Sequence, residues 1–215
     1  MTVVDLSHKI TDKTITYEGF PTPEICDFWS RSDSANNYSD GSSFHIASIN
    51  MVANTGTYID TPFHRFENGK DLSAIAIEQL VNLKGQKFTF LNKKEVTKTN
   101  LSDLDTGIEA VLIQTNWSKY WGVQTYFHDH PYLSEDAADF MIKNKVKVVG
   151  IDSYNIDNTK IDKRPVHTKL LQNDILIIEH MTNLSACPST DFKLTVLPPA
   201  IKGVGSFPVR PVAIF

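Results

Sequence analysis

Apolar positions along this chain come in short bursts, and the bursts predict strands more often than helices. Runs at 3–6, 44–52, 88–91, 110–114, 146–151, 175–179 and 209–214 have strand length and are rich in Val, Ile, Leu and Phe. Those at 146–151 and 174–178 are nearly unbroken, the pattern of strands covered on both faces. A helix is predicted from the cap Ser134 through Glu135, Asp136, Ala137, Ala138, Phe140, Met141 and Ile142, with acids in its first turn and lysines at its end. A second is predicted from Ser73 through Ile75, Gln79, Leu80 and Leu83. The first leads through Asn144 and Lys145 directly into the run at 146–151, an αβ unit. Residues 30–43 form the most polar stretch and read as a long loop, flanked by Phe28, Trp29 and Phe44 and carrying Tyr38. Strands outnumber helices, so the expectation is a mixed sheet with a few helices, in α/β or α+β style.

Composition narrows the function classes. With 215 residues, 21 Lys+Arg against 25 Asp+Glu and a net charge of −4, the chain lacks the basic clusters needed for nucleic acid or an anionic membrane. Its length suits one domain, 1–215, and this mass buries about 70% of the unfolded surface, so no staples are needed. Two cysteines, Cys26 and Cys187, are too few for a disulfide framework and point to a reducing compartment. The N-terminal residues show no basic segment followed by an apolar one, and no apolar run approaches the ~20 residues of a membrane span. A cytoplasmic chain is expected.

The densest polar cluster in an apolar context lies at 51–64. Asn54, Tyr58 and Asp60 share parity, so an extended chain would turn all three to one face. Gly56 allows close approach of backbone, Pro62 ends regular pairing, and His64 follows on a turn that could bend back toward Asp60. An edge strand with a merely solvated polar face explains the same spacing equally well.

The stretch Asn54-Thr-Gly-Thr-Tyr-Ile-Asp-Thr-Pro-Phe-His64 resembles the signature His-x-Gly-Thr-His-x-Asp-x-Pro-x-His of the cyclase/bacterial kynurenine formamidase (arylformamidase) family of metal-dependent hydrolases. Further similar segments follow in order: Asp5-Leu-Ser-His, Thr115-Asn-Trp-Ser, His130-Pro-Tyr-Leu-Ser-Glu-Asp, Val149-Gly-Ile-Asp152, Pro165-Val-His167, Glu179-His-Met-Thr and Phe207-Pro-Val-Arg-Pro. The resemblance implies a compact α/β fold with a mixed, partly barrel-like sheet flanked by a few helices, of swivelling β/α type, assembled as a homodimer or homotetramer. It implies metal ligands at Asp60, His167 and Glu179, with His64 as the catalytic histidine. Position 54 holds Asn and position 58 holds Tyr where the family has its other two ligand histidines.

That exchange leaves three outcomes open. Asn54, Tyr58, Asp60, His167 and Glu179 together offer four oxygens and one nitrogen, a set suited to Mn²⁺, Mg²⁺ or Ca²⁺ more than to zinc. Alternatively Asp60, His167 and Glu179 alone hold one divalent metal, Mn or Zn, a normal catalytic ligand count. Or the Tyr58 ring fills an abandoned site. The function implied is hydrolysis of an aryl formamide such as N-formylkynurenine, a step of tryptophan catabolism, or of a cyclic amide, by metal-activated water with His64 as proton shuttle. The alternative is a catalytically impaired relative that binds a small ligand or a partner. Trp29, Phe66 and Trp117 are candidates to stack on an aromatic substrate. His128 and His130 have the spacing of a metal pair but precede a proline and a helix cap; His45 and His180 read as satisfied neighbours of strands, and His8 as a residue that fixes backbone. The glycines at 203 and 205 make no dinucleotide fingerprint, since Pro208 stands where the third glycine belongs. Nothing near Cys187 suggests an activated thiol.

Overall fold

The structure, a computed structural model, describes residues 1–215. Along the chain run β1 (Val3–Asp5), β2 (Glu24–Trp29), α1 (Arg31–Ala35), β3 (Ile46–Asn50), β4 (Tyr58–Asp60), β5 (Leu83–Thr89), β6 (Glu95–Val96), β7 (Ala110–Gln114) and β8 (Tyr132–Leu133). Then come α2 (Glu135–Lys143), β9 (Val148–Ile151), α3 (Pro165–Gln172), β10 (Leu176–Glu179), β11 (Phe192–Thr195), β12 (Ser206–Pro208) and β13 (Val212–Ile214). Nine strands form one mixed sheet in the order β1-β13-β11-β5-β7-β9-β10-β4-β12. The pairs β5–β7, β7–β9 and β9–β10 are parallel, and the flanking pairs are antiparallel.

Connectivity forces this sheet to curl. Strands β13 and β12 stand second and ninth in the order, seven spacings apart, or about 34 Å if the sheet were flat. Only residues 209–211 join them, and the chain from Pro208 to Val212 reaches at most about 14 Å. The two ends must therefore approach one another, and the sheet is a curled half-barrel with few helices, a mixed α/β architecture as expected.

Strand parity divides the interior into two cores. Ala110, Leu112, Val148, Leu176 and Ile178 point inside the curl with Leu6, Ile59, Leu83, Phe192 and Leu194. Their neighbours Val111, Ile113, Val149, Ile151 and Ile177 point outside, where Ala137, Ala138 and Met141 of α2 and Val166, Leu170 and Leu171 of α3 cover them. Both faces of β7, β9 and β10 are thus dry, which explains their unbroken apolar runs. Helix α2 begins as predicted, with the Ser134 hydroxyl accepting from the Ala137 amide.

Several expectations need correction. The helix predicted over 73–83 is only a single turn at Ile77–Gln79; Ile75, Leu80 and Leu83 are buried by loop and strand instead, and β5 starts at Leu83. The run at 88–91 is the end of β5, which spans Leu83–Thr89. Of the run at 44–52, the strand covers Ile46–Asn50 and pairs with β2 in a separate two-stranded arm whose every residue is exposed. Strand β4 is no solvated edge: β10 pairs on one side and β12 on the other, and Tyr58, Ile59 and Asp60 are all buried.

Candidate active site

Cross-strand register assembles the first part of the site. Tyr58 of β4 lies opposite Glu179 of β10 and Pro208 of β12, while Asp60 lies opposite Ile177 and Ser206. Directly opposed residues have side chains about 5 Å apart, close enough to bond. The Tyr58 hydroxyl donates to Glu179 Oε2 at 2.5 Å, and Ser206 Oγ donates to Asp60 Oδ1. A second hydroxyl, that of Tyr17, reaches Glu179 Oε2 at 3.0 Å and the Tyr58 oxygen at 2.6 Å. The Ile156 amide donates to Glu179 Oε1 at 2.7 Å.

Beyond β4, a turn at Pro62–His64 swings the imidazole of His64 back over the strand. The bend packs tightly on Gly205, where a Cβ would stand 2.4 Å from the His64 amide nitrogen. His64 Nδ1 lies 2.9 Å from Ser206 Oγ and 3.5 Å from Asp60 Oδ1. Ser206 has one proton and gives it to Asp60, so its oxygen accepts from His64 Nδ1–H. The lone pair of neutral His64 is thereby left on Nε2.

Helix α3 delivers His167. Pro165 opens the helix, and its N-cap, Arg164, offers no side-chain cap. Asp157 takes that role from a distance: Oδ1 accepts from the Val166 amide at 2.8 Å, Oδ2 from the His167 amide at 2.9 Å and from His167 Nδ1 at 2.7 Å. With Nδ1–H held, Nε2 faces Asp60 Oδ2 at 3.6 Å and Glu179 Oε1 at 3.5 Å. One ligand atom each from Asp60, His167 and Glu179 lie within 4.8 Å of one another, and all three residues are buried.

The electrostatics are those of crowded buried acids. Burial alone would lower the His167 imidazole, but Glu179, Asp157 and Asp60 overcome it and raise its pKa to about 10. Burial raises Glu179, with His167 opposing and Asp60 adding to the rise. Tyr17 and Tyr58 are pushed well above the ordinary phenol range by burial and by Glu179, so both remain protonated donors. His64 is lowered, chiefly by burial, with Asp60 pulling the other way. Asp60 Oδ2 is buried with no hydrogen-bond partner. An orphaned carboxylate oxygen costs free energy unless something neutralises it. Pointing at His167 Nε2 and beside Glu179, it fits a divalent cation bound by two carboxylates and one imidazole.

A cavity of about 520 Å³ opens over this cluster, lined by Tyr17, Asn54, Tyr58, His64, His167 and Glu179 among others. The structure therefore brings Asn54, Tyr58, Asp60, His64, His167 and Glu179 to one place. Asn54 lies beyond Gly56, whose φ of +69° breaks the extended chain, so it reaches the cavity as a loop residue outside β4. The proposed stacking residues are elsewhere. Trp29 is on the exposed arm, Phe66 packs on the outer core, and Trp117 Nε1 donates to the Tyr126 carbonyl. Phe20, Phe127 and Tyr154 line the cavity instead.

Tyr17, Asp157 and Ser206 escaped sequence reasoning. Tyr17 and Ser206 act on residues far away in the chain, and only Asp157, an acid nine residues before the Val166 amide of a proline-led helix, left a detectable signal. Among the other histidines, His130 is satisfied by Pro131 and Thr159, and His45 pairs with Asp27 on the arm. His180 is not fully satisfied, since its Nδ1 meets the Tyr126 hydroxyl at 2.8 Å while Nε2 is buried without a partner. His8 stacks on Trp121 at 4.2 Å and its amide donates to Thr57. The Cys187 thiol is raised by burial, as an inert thiol should be.

Comparison with known proteins places this geometry in context. The sequence profile of the Cyclase family, described as "Putative cyclase", matches residues 4–158. The kynurenine formamidase of Bacillus thuringiensis subsp. konkukian (strain 97-27) is 27% identical over 214 residues, covering 97% of this chain and 95% of the relative. That of Bacillus anthracis is 25% identical over 213 residues, with the same coverage. Among solved structures, an isatin hydrolase bound to the product analogue thioisatinate superposes with a TM-score of 0.82 at 18% identity, covering 99% of this chain and 92% of that one. A potential metal-dependent hydrolase with cyclase activity gives 0.79 at 23% identity, covering 99% and 96%.

Proposed function

The chain belongs to the cyclase family, and from that premise we propose that it is a metal-dependent hydrolase of an aryl amide, either an N-formyl aryl amine such as N-formylkynurenine or a cyclic amide such as isatin. The observation that carries the reading is the buried Asp60–His167–Glu179 cluster beneath a cavity lined by His64. Asp60, His167 and Glu179 would hold one divalent cation, Mn²⁺ or Zn²⁺. Such a cation, when bound, polarises a carbonyl and lowers the pKa of water from 15.7 toward about 7.

The remaining chemistry belongs to side chains. His64, neutral at pH 7 because burial lowers it, accepts at Nε2 a proton from water adding to the amide carbon. It returns that proton to the departing amine. Ser206 and Asp60 fix the ring and its tautomer throughout. Asp157 holds His167 by Nδ1 so that Nε2, whose proton a bound cation would replace, faces the acids, and Tyr17 and Tyr58 hold Glu179 by its Oε2 edge. The rings of Phe20, Phe127 and Tyr154 flank the aryl group.

One observation favours the rival reading of an impaired, ligand-binding relative: the Tyr58 hydroxyl occupies Glu179 Oε2, where a histidine would have offered a nitrogen ligand. Elemental analysis of purified protein, with turnover of N-formylkynurenine and of isatin before and after chelation, decides between them. We expect one metal equivalent, chelator-sensitive hydrolysis and a loss of at least about a hundredfold in His64→Ala. Absence of stoichiometric metal and of turnover on both substrates overturns the hydrolase reading and favours the rival.

The proposal extends to assembly and setting. A two-stranded ribbon is marginal on its own, and the β2–β3 arm exposes Ile25, Phe28, Trp29, Ile46 and Ile49, which supports a homodimer or homotetramer in which a second copy covers it. Sedimentation of wild type and Phe28→Asp tests this, the variant being expected to shift toward monomer. No helix is long and apolar enough to cross a membrane, and the two unpaired thiols suit a reducing, cytoplasmic setting.

A further inference from the structure

Two cationic side chains on the cavity wall have no carboxylate within ion-pair distance, although Glu135 and Asp162 share a neighbouring groove with them. Arg65 directly follows His64, and Arg164 precedes α3; both line the cavity above the Asp60–His167–Glu179 cluster. Neither forms an ion pair with any carboxylate of the chain. Both are nonetheless held in place. Arg65 Nη2 donates to Thr168 Oγ1 at 3.2 Å, and that hydroxyl in turn donates to the Arg164 carbonyl at 2.8 Å. Arg164 Nη1 donates to the carbonyls of Ile161 at 2.7 Å and Lys163 at 2.8 Å. One nitrogen of each guanidinium is therefore committed to the scaffold, leaving the other N–H donors of each fork uncommitted.

Of the acids on the same wall, Glu179 is fully engaged at the floor, and Glu18 faces His128 at 3.8 Å. The wall thus pairs aromatic rings with two anchored, unpaired guanidinium groups. A planar fork of N–H donors matches a carboxylate, with which it forms paired charge-assisted hydrogen bonds. We propose that Arg65 and Arg164 form an anion subsite that selects aryl amides carrying a carboxylate on a side arm over their neutral counterparts. Resting on the hydrolase reading, this assignment narrows the substrate to an anionic class and makes the two arginines specificity-determining residues.

The test compares an anionic probe with a neutral one, 4-(2-formamidophenyl)-4-oxobutanoate and its methyl ester. We expect wild-type kcat/KM about tenfold higher for the acid, expressed in KM, with the advantage shrinking as salt is raised. In Arg65→Gln and Arg164→Gln the acid-to-ester ratio falls to near one, and Arg65→Lys, which keeps the charge, retains part of it. Arg164 also ties the 158–163 loop through backbone carbonyls, so thermal unfolding of Arg164→Gln is measured alongside. Equal kcat/KM for acid and ester in wild type overturns the subsite while leaving the hydrolase reading intact. If neither probe is hydrolysed, turnover of N-formylkynurenine and of isatin judges the hydrolase reading, and calorimetric binding of the deformylated acid against its ester still judges the subsite. Acid binding about tenfold tighter in wild type but not in Arg65→Gln upholds it, and equal binding refutes it.

Discussion

Asp157→Asn isolates the residue that links the second helix–strand unit to the site. The exchange is isosteric, so no cavity or clash accompanies it. In the native protein the two carboxylate oxygens accept three N–H groups, two from the first turn of α3 and one from His167 Nδ1, all buried. An amide has one acceptor oxygen and one NH₂. Whichever way it lies, a donor faces either the Val166 amide or the His167 pair. Losing charge assistance on these bonds and orphaning a buried donor costs about 3–5 kcal/mol in sum. Urea unfolding at pH 7 measures this. A second consequence is specific to the imidazole. Without a carboxylate at Nδ1, His167 loses one of the interactions that raise it, so its pKa drops below the native value of about 10. The ring loses its anchor at Nδ1, and metal affinity falls about 10–100-fold. Ring ¹⁵N shifts and a zinc titration report both effects. A variant within about 1 kcal/mol of wild type, with an unchanged His167 titration and metal affinity, refutes the role assigned to Asp157.

The other predictions span the fold. His130 is buried and its pKa is lowered to about 4 by desolvation, whereas the unfolded imidazole titrates near 6.5. The unfolded chain therefore binds the extra proton first as pH falls, and stability on the order of 3 kcal/mol is lost between pH 6.5 and 4; urea midpoints should decline across that window and decline less in His130→Gln. Gly85 lies opposite Phe192, and a Cβ there would stand 2.1 Å from the ring, so Gly85→Ala should cost about 1–3 kcal/mol, partly recovered by adding Phe192→Leu. Introducing imidazoles with Asn54→His plus Tyr58→His adds two nitrogen ligands to the cavity, so zinc should bind more tightly in competition with a chelating dye; unchanged affinity would show that neither position reaches the metal.

How much of this was legible beforehand follows from the range of each signal. The strands β7, β9 and β10 are read from the chain because burial on both faces leaves an unbroken apolar run. Helix α2 announces itself through Ser134 and its flanking acids. The segment at 73–83 carries a helical spacing of apolar residues, yet its amides close only isolated turns, Ala74 donating to the Asp71 carbonyl and Leu80 to the Ile77 carbonyl. Tertiary burial of Leu72, Ile75 and Leu80 satisfied the pattern without the helix. At the site, residues grouped within one short segment were visible together, namely Asn54, Tyr58, Asp60 and His64. Their partners Tyr17 and Ser206 were not, since the bond from Tyr17 to Tyr58 spans 41 residues and that from Ser206 to Asp60 spans 146.

That asymmetry has a structural cause in the register of β4. A strand slipped by one residue presents the opposite face. Here the slip would turn Ile59 toward Glu179 and send Tyr58 and Asp60 toward the core that Ile59 now fills. Two buried polar groups would lose their partners, so the pairing with β10 and β12 specifies fold and site in one step. The same register accounts for the tyrosine. At position 58 any side chain must face Glu179 from the opposed strand position, and a phenol does so as a neutral donor to Oε2, while Oε1 accepts the Ile156 amide and faces His167. A histidine at this position would face Glu179 across the same strand pair but bring a nitrogen ligand. The strand geometry thus keeps Asp60 and Glu179 on one face whichever residue stands at 58, while α3 and Asp157 bring His167 to them, and residue 58 decides whether Glu179 meets a hydroxyl donor or a nitrogen.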